Sequence, residues 1–86
     1  MINDGDKVRI IRPERLCSDC FEWVENFLFP VKKEEDEIMG EPAVLNSIGK
    51  VICSGIYSGN GESALLYGVR IGKRIYIMYT DGIRKV

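Results

Sequence analysis

The chain has 86 residues, a formal net charge of −1, 45% hydrophobic and 29% charged residues, and no histidine. That length makes one domain (1–86) of modest core, and the composition is that of a folded globular chain. Lacking histidine, it lacks the commonest metal ligand and the usual partner of a nucleophilic Ser or Cys, which argues against an enzyme.

The start, Met1-Ile2-Asn3-Asp4-Gly5-Asp6, is polar and acidic, unlike a signal or transit peptide. No apolar run approaches the ~20 residues of a membrane span. The expectation is a cytoplasmic protein with no membrane partner. Charge is unevenly spread. Residues 17–42 carry Lys32 and Lys33 against eight acidic residues, for −6, whereas 43–86 carry six basic against two acidic, for +4.

Asp6 to Arg12 reads as a first strand, with Val8 and Ile10 on one face and Lys7, Arg9 and Ile11 on the other. Pro13 ends it. Residues 14–48 form a long acidic insertion. Within it, Asp19 followed by Glu22 resembles a capping box and places a helix at about Cys20 to Leu28. Trp23 and Phe27 share its apolar side, suited to covering a sheet. The run Lys32-Lys33-Glu34-Glu35-Asp36-Glu37 has no apolar residue and reads as a solvated loop.

Three further strands follow, at about Lys50–Tyr57, Ala64–Ile71 and Ile75–Thr80, separated by glycine-rich turns. A three-residue loop Gly72-Lys73-Arg74 would pair Ile71 with Ile75, Val69 with Ile77 and Tyr67 with Tyr79. That register makes one apolar face, leaves Leu66, Arg70, Tyr76 and Met78 on the other, and is preferred to a two-residue loop. Asp81-Gly82 makes a corner before a short last strand, Ile83–Val86.

This order predicts a mainly β domain: a small five-stranded barrel with one short helix in a long insertion after strand 1. Gly5-Asp6-Lys7-Val8, Gly49-Lys50-Val51, Tyr67-Gly68-Val69-Arg70 and Asp81-Gly82-Ile83-Arg84-Lys85-Val86 resemble Src-homology-3-like barrels. The spacing is similar to that of nitrile hydratase β-subunit barrels, KOW-type translation proteins and small phage proteins of unknown role. Such barrels host unrelated functions, so the resemblance implies a fold and little else.

Three constellations bear on function. Cys17 and Cys20 form a C-x-x-C pair that, with Cys53, supplies three thiol ligands for zinc. Four are usual, so zinc would need two chains sharing a site as a homodimer; small apolar filling is the plainer role, and redox chemistry the third. Arg9, Lys50, Arg70, Lys73, Arg74, Arg84 and Lys85, with Tyr57, Tyr67 and Tyr76, offer charge and rings to a nucleic acid. Leu66, Tyr76 and Met78, joined by Trp23 and Phe27, make an apolar surface that needs either a cover or a partner. The sequence therefore favours a non-catalytic module with no cofactor. Its protein partner would meet Trp23, Phe27, Leu66, Arg70, Tyr76 and Met78 and the acidic insertion. A nucleic-acid-binding KOW-like barrel is the alternative.

Overall fold

The computed structural model describes residues 2–13, 35–39, 41–59 and 61–86. They form one mainly β sheet of six strands: β1 (Lys7–Ile10), β2 (Glu37–Met39), β3 (Ile48–Gly59), β4 (Glu62–Ile71), β5 (Arg74–Tyr79) and β6 (Ile83–Lys85). The spatial order is β2-β5-β4-β3-β1-β6. All pairs are antiparallel except β2 on β5. The sheet is open, with β2 and β6 at its edges, in place of the closed five-stranded barrel expected. The expected helix at 20–28 lies outside the described residues, and no α-helix occurs among the described ones.

Alternation builds β1 as expected. Val8 and Ile10 are fully buried, while Lys7 and Arg9 point outward. β3 is long and changes course at a bulge, where the register passes from Val51↔Val69 to Cys53↔Gly68 and leaves Ile52 unpaired. Its first part pairs with β1, and from Lys50 to Gly59 it follows β4. Gly49 packs tightly against β4: a Cβ there would sit 2.6 Å from Val69 Cγ1 and 2.8 Å from the Arg70 carbonyl oxygen.

The β4–β5 register corrects the sequence expectation. Ile71 pairs with Arg74, Val69 with Tyr76 and Tyr67 with Met78, around the two-residue loop Gly72-Lys73. Gly72 takes φ +65° and Lys73 is not in the left-handed region, the sign pattern of a type II′ hairpin with Gly first. Two faces are buried instead of one. Val8, Ile10, Val51, Tyr67, Val69, Tyr76, Met78 and Ile83 make an inner core. On the opposite face, Cys53, Leu66, Ile75 and Ile77 make a second one, with Ile38, Tyr57 and Tyr79 packed against it. Tyr76 and Met78 thus belong to the inner core, and Ile75 and Ile77 to the outer one, the reverse of the expectation.

The chain closes on a 3-10 turn, Thr80–Gly82, whose Gly82 carbonyl accepts the amides of Ile11 and Arg12 at 2.9 and 3.2 Å. β6 then pairs with β1 in the register Ile10↔Ile83, Arg9↔Arg84, Val8↔Lys85.

β2 was not expected as a strand. Its three residues, Glu-Ile-Met, add parallel to β5 with Ile38 opposite Ile75. The residue before it, Asp36, is buried (6% exposed), and its Oδ2 accepts a 2.6 Å hydrogen bond from Arg70 Nη2. The solvated-loop reading is therefore corrected at Asp36, which is buried, and at Glu37, which is exposed but belongs to a strand. The rest of that run, 32–34, lies outside the described residues apart from exposed Glu35.

Candidate nucleic-acid interface

Alternation on β1 puts Lys7 and Arg9 on the outer face, and the register sets their neighbours. Lys7 stands opposite Lys50, Lys50 opposite Arg70, and Arg9 opposite Arg84. Neighbouring strands are about 4.8 Å apart and alternate residues along a strand about 6.6 Å, so these charges form a compact patch. Arg70 is neutralised by Asp36. Lys7, Arg9, Lys50 and Arg84 are exposed and make no ion pair with any described residue. β1, β3 and β6 contain no Asp or Glu at all.

Like charges directly opposite in an antiparallel pair destabilise a sheet by a few tenths to about 1 kcal/mol each. Lys7↔Lys50 and Arg9↔Arg84 are two such pairings with no carboxylate paired to them among the described residues, a cost that folding alone gives no reason to carry. No Tyr, Phe or Trp of these three strands joins the charges, since Tyr57 lies far along β3 in the second core. The face can neutralise phosphates and has no ring to stack on a base. A cleft of about 110 Å³ opens between Arg9, Arg84, Lys85 and Val86 at its edge.

The remaining expected basic residues part company. Lys73 and Arg74 sit at the β4–β5 turn, away from this face. Lys85 Nζ is 3.5 Å from Asp6 Oδ2. Asp6 also accepts the Asn3 N–H at 2.8 Å, and that bond, aided by Lys85, holds its carboxyl below the usual range. A lowered carboxyl pKa contributes stability above its unfolded value, lost as the pH falls through the folded one. Tyr67 and Tyr76 are buried in the inner core. Lys7, not among the expected binding residues, belongs to the patch; its alternation with Arg9 was the available signal.

Among the expected partner-binding residues, Leu66, Tyr76 and Met78 are 1%, 8% and 2% exposed, so they offer little surface to a partner. Trp23 and Phe27 lie outside the described residues, as do Cys17 and Cys20. Cys53 is buried beside Leu66 and Ile77, and burial pushes its thiol up to about 11. That environment favours the neutral thiol over the thiolate that metals bind. No group of three or more His, Cys, Asp or Glu suited to a metal occurs among the described residues.

Cys53 gives a direct check on the second core. With a pKa of about 11, roughly one thiol in a thousand is ionised at pH 8. In a Cys17→Ser/Cys20→Ser variant, Cys53 should react with Ellman's reagent at least ~100-fold more slowly in buffer than in denaturant. Comparable rates would place it at an open surface.

No helix among the described residues is long and apolar enough to cross a membrane. Compared with known protein families, curated proteins and solved structures, the chain matches none of them.

Proposed function

We propose that this chain is a non-catalytic binding module of Src-homology-3-like topology that holds the backbone of a nucleic acid on the outer face of β1, β3 and β6. Strand order supports the topology: β6-β1-β3-β4-β5 runs contiguously, β3 is shared across its bulge, and a single 3-10 turn precedes the last strand. The observation that carries the function is the set of facing cations Lys7, Lys50, Arg9 and Arg84, none paired with a described residue. Charge without aromatic rings suits phosphate contact, which positions a protein on a duplex without reading its sequence.

Four phosphates neutralised on duplex DNA give a slope of log K against log salt of about −3.6. A labelled mixed-sequence duplex, followed by fluorescence anisotropy from about 50 to 200 mM salt, should show a slope of about −3 to −4. Replacing Lys7, Arg9, Lys50 and Arg84 together by Gln should lower affinity at least ~10-fold at the lowest salt. The same variant should melt no lower than the parent, because the cross-strand repulsions are gone. Salt-independent binding, or undiminished affinity in the variant, would remove this reading.

A second reading, the protein partner, keeps support from a different place. Ile56 and Leu65 pair across β3 and β4 and are 67% and 40% exposed, an apolar pair near the far end of that hairpin. Sedimentation of an Ile56→Ser/Leu65→Ser variant separates the readings: a change in assembly with duplex binding intact belongs to the hairpin.

A further inference from the structure

The inner core is open at one end. There the loop carrying Val44 and Ser47 faces the β4–β5 turn across a cleft of about 380 Å³, within the range of small-molecule sites. Ile71 and Tyr76 form its apolar part, and Lys73 and Arg74 lie at the turn that borders it. Asn46, within this loop, takes φ 70°, and its N–H donates to the Ile10 carbonyl at 2.8 Å, which ties the loop to β1. The wall is thereby fixed to the sheet.

Two details point to a ligand. Tyr76 is only 8% exposed, yet its side chain makes no hydrogen bond with any described residue. Tyr76 lines this cleft, and its phenol O–H can donate to a ligand there. The second is charge. Neither Lys73 nor Arg74 makes an ion pair with a described residue, although Glu37 stands opposite Arg74 in the β2 register. None of the described residues lining the cleft is acidic.

We infer that this cleft binds a small amphiphilic anion, its apolar body against Val44, Ile71 and Tyr76 and its carboxylate, sulfonate or phosphate group against Lys73 and Arg74. The apolar side chains of Ile71 and Tyr76 give the body of the ligand a surface to pack on. The two cations give the charged hydrogen bonds that fix its orientation, and the tyrosine O–H donates a further one. This site is separate from the basic face of β1, β3 and β6, so the two readings stand or fall independently.

The probe is 8-anilinonaphthalene-1-sulfonate, compared with its uncharged analogue N-phenyl-1-naphthylamine. The folded protein should bind the anion saturably at one site and the neutral analogue at least ~10-fold more weakly. Lys73→Ala/Arg74→Ala should weaken the anion about tenfold, and Tyr76→Phe roughly threefold. The Lys7/Arg9/Lys50/Arg84 Gln variant should leave it unchanged. Amide shifts on titration should centre on Val44, Ser47, Gly72–Arg74 and Tyr76. Near-ultraviolet circular dichroism of each variant confirms that the core is intact. Non-saturable binding, equal affinity for the neutral probe, indifference to the Lys73/Arg74 change, or shifts centred elsewhere would each overturn the inference.

Discussion

Gly49→Ala is expected to destabilise the protein by about 3 kcal/mol, the upper part of the overpacking range. A methyl at Gly49 meets three obstacles: Val69 Cγ1 at 2.6 Å, the Arg70 carbonyl oxygen at 2.8 Å and Ile71 Cγ1 at 2.8 Å. Side-chain rotation can relieve the contacts with Val69 and Ile71 only by disturbing the inner core they pack in or against. The contact with the Arg70 carbonyl needs a backbone shift. That shift acts on the β3–β4 ladder, and through Val8↔Gly49 on β1 as well. For a domain of this size, about 3 kcal/mol corresponds to a fall in Tm of roughly 15–20 °C. Thermal melts followed by circular dichroism measure it.

Gly61→Ala is the matching control. Gly61 has φ +77° but nothing within 4 Å of an added methyl, so only the left-handed backbone penalty of about 1 kcal/mol applies. If both substitutions cost the same, close approach is not what fixes Gly49. If Gly49→Ala costs under ~0.5 kcal/mol, β3 and β4 do not pack as closely as the structure has them.

Much of the sheet was legible because its strands are written in β-branched and aromatic residues between turn residues. Val8 and Ile10 alternate with Lys7 and Arg9, and burial follows that alternation. The β4–β5 register was misread for a physical reason. Apolar alternation fixes register only when one face is wet, and β5 buries Ile75, Tyr76, Ile77 and Met78 in succession. Turn chemistry held the better signal, since a two-residue hairpin that starts with Gly is a favoured loop.

β2 was not legible at all. Three residues give no period, and Asp36-Glu37 sits at the end of an acidic run that looks solvated. The hint lay in β4. Arg70 falls in a strand otherwise apolar over Ala64–Ile71, and a cation drawn into such a strand needs a counter-charge. The basic patch was half legible for a similar reason: composition names the cations, but only strand pairing decides which stand together. Arg9 and Arg84 lie near opposite ends of the chain and directly opposite each other in the sheet.

Loss of the Arg70–Asp36 pair is expected to destabilise the protein nearly as much as Gly49→Ala. Asp36→Ala is expected to cost about 2–3 kcal/mol, somewhat below a fully buried pair because the Arg70 side chain is 23% exposed. Removing the carboxylate leaves a guanidinium held in the sheet, where its Nε already lacks a hydrogen-bond partner among the described residues. The unmade interaction, more than the lost attraction, sets the cost. A second readout is local. The Glu37 amide donates to the Lys73 carbonyl at 2.9 Å, tying the start of β2 to the turn that leads into β5. Hydrogen exchange at Glu37 and Met39 should accelerate in the variant well beyond the change at Val8 or Val69, because β2 is a three-residue edge strand with few bonds of its own. The double variant Asp36→Leu/Arg70→Met should recover most of the global stability, since it leaves no charge unpaired. Uniform acceleration across the sheet would mean that the ion pair stabilises the fold as a whole. Unchanged exchange at Glu37 would mean that Ile38, packed on Ile75 in the second core, holds the strand without it.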